Sequence, residues 1–161
     1  MRVLLAASVL ALAAAHAAPP HAKPHRASPA RALRAVIVSG NAQTAHAYIA
    51  SGKKRYQTDF PNALVVRVTA SPPPGGTRYV VFTCVTNGCT FAPADQPNGG
   101  TYVDRVADVD NAYKVKIHNG TAALRVTTEV PVATGTYTVR ADPSVQKGER
   151  AVPASFQLTA R

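Results

Sequence analysis

Two alternating runs near the C-terminus constrain this chain more than anything else in it. Gly135-Thr-Tyr-Thr-Val-Arg-Ala141 is followed by Ala154-Ser-Phe-Gln-Leu-Thr-Ala160. Tyr137, Val139, Phe156 and Leu158 fall on one side. Thr136, Thr138, Arg140, Ser155, Gln157 and Thr159 fall on the other. A period of two is the signature of a strand with one face buried. Two such strands need a sheet to join and a second layer to cover the apolar face.

The same pattern recurs upstream. Arg34–Ser39 is short and apolar, and Thr44–Ala50 is a less regular candidate. Asn62–Thr69 places Leu64, Val66 and Val68 together, and Arg78–Cys84 does so with Val80, Phe82 and Cys84. Tyr113, Val115 and Ile117 alternate with Lys114, Lys116 and His118. After Asn119-Gly120, the residues Ala122, Leu124 and Val126 alternate with polar or small ones. Asn-Gly between alternating runs suits a type I′ turn, whose two central residues need positive φ, so a hairpin is predicted here. Ser71–Gly76 and Ala92–Gly100 are rich in Pro and Gly and read as loops. Almost nothing reads as helix. The expected architecture is an all-β, immunoglobulin-like β-sandwich of about 7–9 antiparallel strands.

The N-terminus divides differently. Met1-Arg2, an apolar run from Val3 to Ala15 and the small-residue site Ala15-His-Ala17 form a signal-peptide pattern over residues 1–17, with cleavage expected after Ala17. The run is well short of the ~20 residues that span a bilayer, and no later segment is apolar enough. Residues 18–34 hold four prolines, four basic residues and two histidines without a carboxylate, and read as a disordered arm. The domain is then 35–161. The expected location is the periplasm or the medium.

Lys and Arg number 18 against 8 Asp and Glu, a formal charge of +10. Losing Arg2 with the leader leaves 17 against 8, or +9. Outside the cytoplasm such a balance favours anionic surfaces or an envelope protein as partner. The basic candidates are Lys23, Arg26, Arg31 and Arg34 in the arm, and Lys53, Lys54 and Arg55 in the domain. No nucleic-acid motif accompanies them.

Cys84 and Cys89 are the only cysteines. An even count in an exported chain predicts a disulfide. A two-residue turn at Asn87-Gly88 would put the sulfurs out of register. A four-residue loop, Val85–Gly88, places Cys84 opposite Cys89, so bond and loop are predicted together, stapling a hairpin tip. The spacing is not C-x-x-C, which argues against a redox pair.

Asp104, Asp108, Asp110 and Asn111 could offer oxygen ligands to Ca²⁺, but no Gly follows and no Glu closes the loop, so they read as a solvated acidic loop. His21 and His25 could meet copper or zinc only incidentally, since Pro20 lacks the amide proton that N-terminal chelation requires. His46 and His118 have no evident partner carboxylate or nucleophile. No G-x-S-x-G, phosphate loop or zinc spacing is present. The expectation is no enzyme and no cofactor. Glycan stacking would fall to Tyr48, Tyr56, Tyr79 or Tyr102.

Several segments resemble group 1 bacterial Ig-like repeats of the invasin/intimin type. They are Ser39-Gly-Asn-Ala-Gln-Thr44, Phe60-Pro-Asn-Ala-Leu-Val-Val-Arg-Val-Thr69, Val80-Val-Phe82, Asn119–Thr127, Gly135–Ala141 and Ala154–Ala160, in the family's order. Gly135-Thr-Tyr137 in addition resembles the tyrosine corner of immunoglobulin-like sandwiches. The resemblance implies a stalk, spacer or cell-adhesion module at a bacterial surface. This chain has one copy rather than a tandem array, and a longer stretch at Gly88–Tyr113. That stretch is a second candidate site, as a binding loop of a soluble ligand-binding or inhibitory protein. The basic arm as a polyanion binder is a third.

Overall fold

The computed structural model describes residues 30–71, 75–91, the backbone of 103–105, and 111–161. Among them are fourteen short strands and no helix. They are β1 (Arg31–Ser39), β2 (Gln43–Ala45), β3 (Ala47–Ile49), β4 (Tyr56–Asp59), β5 (Leu64–Thr69), β6 (Tyr79–Cys84) and β7 (Thr90–Phe91). Then follow β8 (Val103–Arg105), β9 (Ala112–Lys116), β10 (Thr121–Leu124), β11 (Thr127–Val130), β12 (Gly135–Pro143), β13 (Glu149–Val152) and β14 (Ala154–Ala160).

They form a β-sandwich. One layer is the sheet β10-β5-β1-β13, and the other is β2-β14-β12-β6-β9-β8. A third sheet, β3-β4-β11-β7, continues the first layer. In it β4 runs on into β5, and β10 runs on into β11. Their pairing resumes across a bend, from Leu124↔Leu64 to Thr127↔Asp59. Such interruptions, and others at Gly40 and Pro153, are why there are more segments than the sequence pattern suggests. All pairs are antiparallel except β1 with β13 and β2 with β14.

The alternation sorts side chains as read. Tyr137, Val139, Phe156 and Leu158 are buried, as are Leu64, Val66, Val68, Val80, Phe82 and Cys84. β12 and β14 pair without a slip from Gly135↔Ala160 to Ala141↔Ala154. Phe82 and Phe156 pack with ring centroids 6.3 Å apart. Phe91 of β7 meets Tyr113 of β9 at 5.4 Å, joining two sheets.

Two expectations change. Asn119 (φ 47) and Gly120 (φ 75) do make a two-residue turn, closed by a single bridge between His118 and Thr121. The flanking strands then part. β9 pairs with β6 in one layer, and β10 with β5 in the other. The turn therefore crosses between layers rather than capping a hairpin. The arm boundary at residue 34 also moves. β1 starts at Arg31, because Leu33 is fully buried and Arg31–Arg34 run alongside β13. Residues 1–29, with Lys23, Arg26, His21 and His25, lie outside the described residues.

The crossing from β1 to β2 is held by one side chain. Gln43, buried in the core, donates from Nε2 to Gly40 O (2.7 Å) and Asn62 O (2.9 Å). Its Oε1 accepts from Asn62 N at 2.8 Å. Asn41 Oδ1 accepts from Gln157 N. These bonds bring the chain from beside β5 to beside β14. At the opposite crossing, Tyr137 is buried and donates to Val132 O at 3.4 Å. That hydrogen bond is long, so Tyr137→Phe is expected to lose only about 0.5–1 kcal/mol in chemical denaturation. A larger loss would mean that the hydroxyl does more than this one contact.

Candidate functional site

The Cys84–Cys89 bond is formed, with Cα atoms 5.9 Å apart. Its setting differs from the four-residue hairpin loop expected: Asn87 and Gly88 form a two-residue turn and the bond closes all the same, because the strands on either side do not pair with each other. Val85 N bonds to Thr138 O, and Thr86 Oγ1 accepts from Thr138 N, so the end of β6 still follows β12. Cys89 N then bonds to Thr86 O at 3.1 Å. Gly88, at φ 73, supplies the left-handed position that the third residue of a type II turn requires. Beyond the turn, Thr90 and Phe91 pair with Glu129 and Thr128 of β11, not with β6. The disulfide thus clamps a corner where the chain changes sheets. Residues 92–102, which follow β7, lie outside the described residues.

The basic run beside it is largely engaged. Arg55 donates to Gly88 O, and to Glu129 O at 3.2 Å. Gln57 donates to Glu129 Oε1 at 2.6 Å, and Lys53 Nζ lies 3.9 Å from the same oxygen. Of the three basic residues in this run, only the exposed Lys54 has no ion pair or side-chain hydrogen bond among the described residues. Lys53 and Arg55 serve the corner.

The acidic candidates are not brought together in what is described. Asn111 donates from side-chain Nδ2 to Cys84 O (3.0 Å), and its backbone carbonyl accepts from Cys84 N (2.8 Å), extending the ladder of β6. Asp104 pairs through its backbone with Lys114, and Asp108 and Asp110 lie outside the described residues. Among the described residues no three His, Cys, Asp or Glu side chains could share a metal ion.

The tyrosines divide. Tyr48 is 42% exposed, but its hydroxyl donates to Asp59 Oδ2 at 2.7 Å. That bond, with some burial and the Asp59 charge, pushes the phenol up to about 12. Thr127 Oγ1 bonds to the other Asp59 oxygen. Lys114 Nζ sits over the Tyr79 ring, 4.1 Å from its centre. Tyr56 is half-buried, and Tyr102 lies outside the described residues.

One charged cluster has no sequence signal. Arg78, 6% exposed, makes a two-pronged pair with Glu149 at 2.8 and 3.1 Å. Arg78 Nε also donates to Gly75 O, and Glu149 Oε2 accepts from Gln146 N. Arg31 stands 3.7 Å from Glu149 Oε1. The Arg78 hydrogen bonds, then that of Gln146, hold the Glu149 carboxyl below its ordinary 4.5. A depressed folded value adds stability above the unfolded value, and that stability is lost as pH falls through the folded one. Glu149→Gln should therefore be clearly less stable than wild type in urea at pH 7. The gap should shrink below pH 4.5. A gap independent of pH would contradict this.

Compared with known proteins, the chain matches no family model and no curated protein.

Proposed function

We propose that this is an exported, non-catalytic interaction module of the bacterial cell envelope, built as an immunoglobulin-like sandwich of the invasin/intimin type. The observation that carries the reading is strand order. In an immunoglobulin-like fold the first, second and fifth strands share one sheet, and the third, sixth and seventh share the other. Here β1, β5 and β10 share a layer, while β6, β12 and β14 share the opposite one. The first strand crosses at Gly40 to lie parallel to the last, and the Tyr137 hydroxyl reaches back to Val132. The signal-peptide pattern and the Cys84–Cys89 bond agree, since such bonds persist in oxidising compartments.

In this role the sandwich is a rigid body that presents surfaces. The polar side chains at the disulfide corner and around Glu149 hold the chain in place, which suits a scaffold. A second reading puts recognition on the loop region 88–113, as in a soluble ligand-binding or inhibitory protein, because loops on a rigid sandwich are common binding sites.

Expression from the native start codon tests the reading. The expected product begins at Ala18, has no free thiol and is recovered from the periplasm, envelope or medium. A cytosolic product that keeps Met1 and two free thiols overturns it.

A further inference from the structure

The outer face of the sheet β10-β5-β1-β13 carries a file of arginines. Inward positions of its strands are apolar: Leu33 and Ala35, Val66 and Val68, Ala122 and Leu124. The alternate positions face outward. Register then fixes their neighbours. Arg34 lies opposite Thr69 on one side and Val152 on the other. Arg67 lies opposite Val36, and Arg150 opposite Ala32. Arg150, Arg34 and Arg67 therefore step diagonally across three adjacent strands, one per strand. Diagonal neighbours in a sheet are about 7–8 Å apart.

All three are exposed, and none has an ion pair or a side-chain hydrogen bond among the described residues. The outward positions of these four strands hold no carboxylate. Every other arginine of the paired strands β1 to β14 whose side chain is described behaves differently: Arg31 faces Glu149, and Arg140 bonds to Asp142 at 2.7 Å. Exposed valines flank the file, Val36 at 44% and Val38 at 51%.

We propose that this file is a docking surface for a linear acidic polysaccharide laid across the strands. Guanidinium groups match sulfate and carboxylate oxygens with paired N–H donors. A single row suits a chain-like partner, whose charges are themselves in line. The aliphatic flank offers contact to the C–H faces of sugar rings. Single-stranded nucleic acid is disfavoured, because the face holds no aromatic platform for bases. A bilayer is disfavoured too. A twisted four-stranded sheet is a saddle rather than a plane, and the face holds no Trp, Phe or Leu to enter the lipid interface. The proposal deepens the interaction-module reading and rests on it for where the polymer is met. It moves the polyanion site from the N-terminal arm to the sandwich.

The test is binding of heparin to the full chain, with the triple variant R34Q/R67Q/R150Q beside K54Q/K147Q/R161Q. The second removes equal charge from exposed positions elsewhere. Each variant is checked for an unchanged melting temperature. By the counterion-release slopes known for nucleic acids, three contacts contribute about 2–3 to the slope of log affinity against log salt. The file variant should lose that much slope and at least about tenfold in affinity at low salt, with the control within about threefold of wild type. Equal losses in both variants overturn the proposal, as does no loss in either. So does loss of binding to phosphatidylglycerol vesicles with heparin binding intact, which would make the face a membrane site. The measurement uses purified protein, so it stands or falls apart from export: a cytosolic location would sink the envelope reading and leave the heparin result untouched.

Discussion

Gly40→Ala is expected to destabilise the protein by about 2–5 kcal/mol, among the largest effects available to a single added methyl group. Two costs combine. Gly40 sits at φ +87, where an alanine is strained by about 1–2 kcal/mol. Its new Cβ would also stand 2.2 Å from Ala63 O and 2.9 Å from Leu64 Cα. Both are backbone atoms at the start of β5, so no rotamer change relieves the contact, and overpacking adds about 1–3 kcal/mol. The site is where the first strand changes layers, and Gly40 O accepts from buried Gln43. Gly76→Ala is the control. It shares the positive φ (+73) but would meet nothing within 4 Å, so only the strain of about 1–2 kcal/mol is expected. Equal melting of the two variants would show that the close approach at Gly40 is not tight.

Phe82→Ala is expected to cost about 3–5 kcal/mol, more than opening the disulfide. Phe82 is fully buried beside Phe156 between the layers. The Cys84–Cys89 bond closes a ring with a sequence separation of 5, which removes only about 2 kcal/mol of chain entropy from the unfolded state. Urea unfolding of wild type with and without reductant, beside Phe82→Ala without it, decides the order. If reduction costs more than the phenylalanine, the corner and not the core holds the sandwich together.

What could be read from the residues was what depends on local order. Alternation along β5, β6, β12 and β14 told which side chains are buried, because a strand's faces are set by its own period. The disulfide followed from a cysteine count. Less was legible where a choice of partner is made far away. Asn119-Gly120 specifies a turn and its first rung. It does not say that Tyr113–Lys116 will take β6 and Thr121–Leu124 will take β5, since that depends on which layer still has an open edge. Arg31 looked like part of a basic, proline-rich arm. Only Leu33 hinted otherwise, and its pairing partner is β13, more than a hundred residues on. Arg78 and Glu149 lie 71 residues apart. The Arg150-Arg34-Arg67 file is likewise assembled by register: each arginine alone is an ordinary outward residue of a separate strand.

The proposed role is presentation of a rigid sandwich to an envelope partner. The most direct measurement is recovery of envelope material by the full chain, beside R34Q/R67Q/R150Q and a variant with residues 92–100 replaced by a short Gly-Ser link. Wild type and the loop variant are expected to retain an acidic glycan fraction at low salt, and the arginine variant is not. Recovery of nothing by wild type at any salt, from any envelope fraction, would contradict it.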